Sequence, residues 1–173
     1  MNDEQKWLYL EGVPHLDAQH PRIKLLAQNL TLAAGGEPTR TAQLIMTVAR
    51  DWIRQTSDVE QRGGEDIAGL TRPPHPDDAI DALRRGEDDC DAKARVFVAL
   101  CLAAGLKARM MPTFATCGIT ESTPKGRTLT HVSAAVELDN VWQPVELTLS
   151  RARLGETGKQ VPKELATGKW KLS

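Results

Sequence analysis

Residues 88–105 read DDCDAKARVFVALCLAAG, and this stretch decides the fold. Asp88 or Asp89 suits an N-cap, Cys90 falls in the first turn, and Gly105 stands at the left-handed position that closes a helix. From Val96 through Ala104 every residue is apolar. A helix with so little outer face must be packed on most of its sides, so the stretch predicts a central helix that opens on a thiol.

Upstream of it, Ile23, Leu25, Leu26 and Leu30 repeat with a loose helical period after Pro21, and the Gly35-Gly36 pair ends the run near Ala33. After Pro38, with Thr39 as the expected cap, Leu44, Ile45, Val48, Ala49, Trp52 and Ile53 form an apolar stripe that predicts a second helix. Ser57 to Pro74 is polar and rich in Gly and Pro, which predicts a loop able to border a substrate cleft. Pro76 at a first helical position, Asp77 and Asp78 against the helix dipole, and Arg84-Arg85 before Gly86 predict a short helix.

Downstream, Leu106 to Met111 reads as a strand, and Thr113 to Thr130 as a polar loop, long enough to be a candidate functional element. His131 to Leu138 and Val141 to Leu147 read as two strands joined by Asp139-Asn140, a pair suited to a two-residue hairpin turn. That turn sets the register: Leu138 faces Val141 and Ser133 faces Glu146. Side chains alternate, so one face carries Val132, Ala134, Val136, Leu138, Val141, Val145 and Leu147, with Gln143 interrupting it. The other face carries His131, Ser133, Ala135, Glu137, Trp142, Pro144, Glu146 and Thr148. His131 and Glu146 become diagonal neighbours on that face, at a Cα separation of roughly 7–8 Å that two polar side chains can bridge.

Composition narrows the function. The 173 residues are 40% hydrophobic and 26% charged, which fits one globular domain. Its core is expected at about residues 40–150, with an irregular tail over 151–173. A net charge of -1 offers no field for nucleic acid. No segment has the basic end and long apolar run of a signal peptide or the length of a membrane span, so the expected setting is the cytoplasm, with no membrane partner. Three cysteines at irregular spacing argue for reduced thiols rather than disulfides. Cys101 reads as core and Cys117 as an incidental loop thiol. His15, His20 and His75 lack metal-site spacing, and nothing calls for a cofactor.

A thiol at a helix start, an imidazole on a strand and a carboxylate on the next strand are the parts of a nucleophilic acyl-transfer site. Cys90 is the candidate nucleophile, His131 the proton carrier and Glu146 the residue that orients the imidazole. The free N–H groups of a helix start favour a negative sulfur, whereas Glu87, Asp88, Asp89 and Asp91 oppose it.

In this arrangement the chain resembles the transglutaminase-like superfamily of papain-like thiol enzymes. Its first motif is similar to Cys90, Ala94 and Ala103-Ala104-Gly105-Leu106-Lys107-Ala108-Arg109, its second to His131 followed by Val132 to Leu138, and its third to Trp142-Gln143-Pro144-Val145-Glu146. The upstream Ala49, Asp51 and Trp52 are also similar to the segment before the core in that family. The likeness covers roughly Leu44 to Thr148. It departs at Glu146, where the family usually has Asp, at Asp88, often Gly, and at Ser133, often aromatic. The resemblance implies an α+β fold with a helical N-terminal half, a central Cys-bearing helix and an antiparallel sheet. It also implies a cysteine peptidase or amidase acting on a protein or peptide through Cys90, His131 and Glu146. The alternatives are a protein-glutamine cross-linker and a binding or scaffolding protein that keeps the fold without the chemistry. Oligomeric state is not readable.

Overall fold

The structure, a computed structural model, describes residues 11–56, 79–117 and 126–156, with the backbone alone over 112–117 and 126–130. The loop expected over Ser57–Pro74 and the Pro76 helix start lie outside these residues.

Helix α1 covers residues 11–17, α2 Pro21–Ala33 and α3 Pro38–Thr47. Each of the last two starts on a proline whose missing N–H would have had no helical partner anyway. The α2 bounds follow the sequence expectation, with Gly35 and Gly36 at φ of +68° and +77° ending it. The cap of α3 does not. Glu37, not Thr39, is the N-cap, because its carboxylate accepts from the N–H groups of both Thr39 and Arg40 at 2.8 and 2.7 Å.

The second expected helix also changes character. Val48–Trp52 form a π-turn after α3, and the wider turn shifts the phase of the apolar stripe. Val48, Ala49 and Ile53 stay buried, but Trp52 is 61% exposed, so its place on the core stripe is corrected. Strand β1, Arg54–Gln55, then pairs in parallel with β2, Glu87–Asp88, a link the sequence reading did not foresee. Between them α4 spans Ala79–Arg85 and ends at Gly86, φ +69°.

Helix α5, Cys90–Ala103, has Asp89 as N-cap and Gly105 beyond its end at φ +80°. Val96 through Cys101 are at most 2% exposed, so the packing on most sides read from the apolar run is observed. Phe97, Leu100 and Val96 meet Ile23 and Ala27 of α2, Ile45 of α3 and Val48 of the π-turn in one core with the sheet.

Strands β3 (Ala108–Cys117), β4 (Gly126–Leu138) and β5 (Val141–Val145) form an antiparallel sheet in the order β3-β4-β5. Leu138 pairs with Val141 and Ala134 with Val145, the register expected from the two-residue turn. Asp139 and Asn140, at φ of +52° and +61°, supply the left-handed pair that such a turn requires.

Three expectations are revised here. The polar loop assigned to Thr113–Thr130 is largely strand, since β3 continues to Cys117 and β4 begins at Gly126, leaving 118–125 outside the described residues. Ladder bonds are made by the backbone, so these arms need no apolar alternation, and the register shift between Thr113 and Phe114 would mask one in any case. Accordingly His131 lies inside β4 rather than at its start. Glu146 lies one residue past β5, because the next carbonyl and amide leave the ladder for side-chain partners.

Val132, Ala134 and Val136 enter the core, yet Ser133 and Ala135 on the opposite face are 3% and 0% exposed. Both faces of β4 are therefore covered, while Val141, on the same face as Val132, Ala134 and Val136, is exposed at the strand end. In the tail, Ala152 packs against the core.

Candidate active site

Each member of the site is held by a different element. Cys90 opens α5 and is half-buried, so its sulfur sits at the helix end where backbone N–H groups have no helical acceptor. His131 comes from β4 and is 8% exposed, and Glu146, just past β5, is 3% exposed. The structure brings the last two together: His131 Nε2 lies 3.0 Å from Glu146 Oε2. That leaves Nδ1 as the ring nitrogen available to Cys90.

The electrostatics follow from these contacts. Hydrogen bonding to Cys90, and next to Glu146, pushes the His131 imidazole up to about 10 against the opposing effect of burial. His131 is thus a cation at neutral pH. For Glu146 burial is the largest influence and works upward. The hydrogen bonds from His131 and from the Thr148 hydroxyl and amide outweigh it, holding the carboxyl at about 2. Thr148 was not assigned a role from sequence. Its N–H and Oγ1 both donate to Glu146 Oε1, at 2.9 and 2.7 Å, which leaves Oε2 aimed at the imidazole. A threonine two residues after a carboxylate can bond back in this way, and that spacing was the available signal.

The acidic residues around Cys90 are less hostile to a negative sulfur than their number suggests. Glu87 is paired with Arg54, and Asp88 with Arg85. Asp89 is raised by burial, then by its hydrogen bond to Asp91 and the charges of Asp91 and Cys90, so it holds its proton well above the usual carboxylate range. A neutral Asp89 still caps α5 by accepting from the Ala92 N–H.

The Trp142 ring lies under the Arg109 guanidinium, 4.3 Å from centroid to Cζ, joining β5 to β3 across β4. Cys101 is fully buried, as expected of a core thiol, and burial drives it strongly toward the protonated form. Cys117 ends β3 rather than lying in a loop. Among the described residues no cluster of His, Cys, Asp and Glu has a geometry suited to a metal ion, and no helix is long and apolar enough to cross a membrane.

A helix-end thiol, a strand imidazole and the carboxylate bonded to that imidazole are thus carried by three elements of one α+β scaffold. The chain belongs to the transglutaminase-like superfamily, whose family model matches residues 28–147. Two solved structures are similar to it. One, described as a candidate protease from Parabacteroides distasonis, is 13% identical with a TM-score of 0.53, over 75% of this chain and 24% of its own. The other, described as a candidate cysteine protease from Cytophaga hutchinsonii, is 15% identical with a TM-score of 0.47, over 84% of this chain and 40% of its own. This chain thus spans well under half the length of either. No curated protein matches it.

Proposed function

We propose that this protein is a thiol-dependent acyl-transfer enzyme, a cysteine peptidase or amidase that hydrolyses an amide of a protein or peptide through Cys90, His131 and Glu146. The observation that carries the reading is the bond from His131 Nε2 to Glu146 Oε2 with the other ring nitrogen left to Cys90. Membership of the transglutaminase-like superfamily supports the same class of chemistry.

The Cys90 sulfur attacks the amide carbonyl and a C–S bond forms as the carbonyl π pair moves onto oxygen. Backbone N–H groups in the first turn of α5 are the donors available to that oxyanion. Collapse breaks the C–N bond, with the His131 proton passing to the leaving amine, and leaves a thioester. Water then gives a proton to His131 as its oxygen adds to the thioester carbonyl, and cleavage of the C–S bond releases the acid and restores the thiolate beside the protonated imidazole. Glu146 stays ionised throughout, fixing the ring and balancing its charge. An open groove lined by Thr148, Leu149, Ser150, Arg151, Ala152 and Glu156 begins at the residue that holds Glu146 and is a suitable seat for an extended chain.

Incubation with a mixed peptide library, with and without a primary amine, tests this by mass spectrometry. The expected result is new carboxyl termini that vanish in Cys90→Ala, with a transient acyl mass on Cys90. Amine incorporation in place of hydrolysis would make the enzyme a cross-linker, and no turnover with no adduct would return it to a scaffolding role.

A further inference from the structure

Lys93 stands one turn after Cys90 and is 2% exposed, the most deeply buried charged side chain among the described residues. Its Nζ donates to the carbonyl of Arg50 at 2.9 Å and to that of Leu147 at 3.1 Å. Arg50 belongs to the π-turn, and Leu147 follows Glu146 directly. Arg50 continues the same clasp: its guanidinium grips Asp51 through two bonds of 2.6 and 2.7 Å and donates to the Ala152 carbonyl at 2.5 Å. The segment that bears Glu146 is therefore tied to both the π-turn and the nucleophile helix.

Burying an ammonium costs several kcal/mol, and a methionine would fill a similar volume without that penalty. A merely space-filling role leaves the cation unexplained. The charges around it explain it better. Burial lowers the Lys93 amine most strongly, and the Arg50 cation adds to that, while the carboxylates of Asp51 and Glu146 favour its charged form. The Glu146 carboxylate, bonded to His131, thus also lies within electrostatic range of Lys93.

We propose that Lys93 is a positioning residue of this site: by holding the Leu147 carbonyl it fixes Glu146 at the distance that His131 requires. The proposal deepens the thiol-enzyme reading and rests on it for any effect on turnover, but the placement itself is measurable without turnover.

The test is an NMR titration of the His131 ring and the Glu146 carboxyl in the wild type, in Lys93→Met, which removes charge and donors, and in Lys93→Gln, which keeps donors alone. Wild-type His131 is expected to titrate near 10 and Glu146 near 2. In Lys93→Met, His131 moves down and Glu146 up by about one pH unit each, with Lys93→Gln between. Where peptide turnover is measurable, kcat falls about tenfold in Lys93→Met with KM little changed. Lower thermal stability with both titrations in place would overturn the proposal, and so would failure of both variants to fold, since the lysine would then serve the core. An inactive wild type with shifted titrations would sink the enzyme reading and leave this inference standing.

Discussion

At the scale of single residues, the site depends on hydrogen bonds that leave no atom of Glu146 idle: Oε2 faces His131 and Oε1 is held by Thr148. A hydrogen bond to a charged group contributes about 1.5–3 kcal/mol, so its loss is felt as a factor of about ten or more. Thr148→Val removes the 2.7 Å hydroxyl donor and keeps the amide. Its expected effect is a drop in peptide turnover of about tenfold together with an upward shift of the Glu146 titration, read by the acid limb of the rate profile. Unchanged turnover would mean that the amide of Thr148 suffices. The three candidate residues stood out in the sequence because each lay in a patterned context: a capped helix start, and two strands whose turn fixed their register. Thr148 and Lys93 did not. One acts through a two-residue backbend that any exposed threonine could mimic, and the other is a charged residue in a segment whose pattern marks it only as out of place.

At the scale of elements, the hairpin is the device that aligns His131 with Glu146, and its turn was readable because Asp139-Asn140 tolerates the left-handed region. Replacing Asn140, at φ +61°, by a β-branched residue puts Cβ against the carbonyl at a cost of about 1–2 kcal/mol. Asn140→Val is therefore expected to lower the denaturant midpoint, while Asn140→Gly holds or raises it; equal midpoints in both would show that the turn does not set the register. Other elements were hidden for physical reasons. The outer arms of β3 and β4 carry polar residues held by backbone ladders, so no apolar period announced them. The π-turn at Val48–Trp52 rotated Trp52 out to solvent, which a helical stripe cannot anticipate. The parallel pair β1–β2 is two residues long on each side, too short to leave any sequence pattern.

At the scale of the molecule, the site couples stability to pH through two opposite shifts. The His131 contribution is complete below its ordinary value of 6.5 and is lost as pH rises through about 10. The Glu146 contribution is complete above its ordinary value of 4.5 and is lost as pH falls through about 2. Both are present together from about 4.5 to 6.5. The stability difference between wild type and Glu146→Gln is expected to be largest in that window and to shrink toward both extremes in urea titrations. A difference independent of pH would mean that the pair is not ionised in the fold. The whole architecture, a buried helix set against a sheet, exists in this reading to bring one sulfur to one ring. Its most direct measurement is the rate of Cys90 alkylation by iodoacetamide between pH 5 and 10, in the wild type and in His131→Ala. The account predicts fast, selective labelling of Cys90 at and below neutral pH that falls by about a hundredfold in His131→Ala. Labelling that is slow until alkaline pH and indifferent to His131 would contradict it.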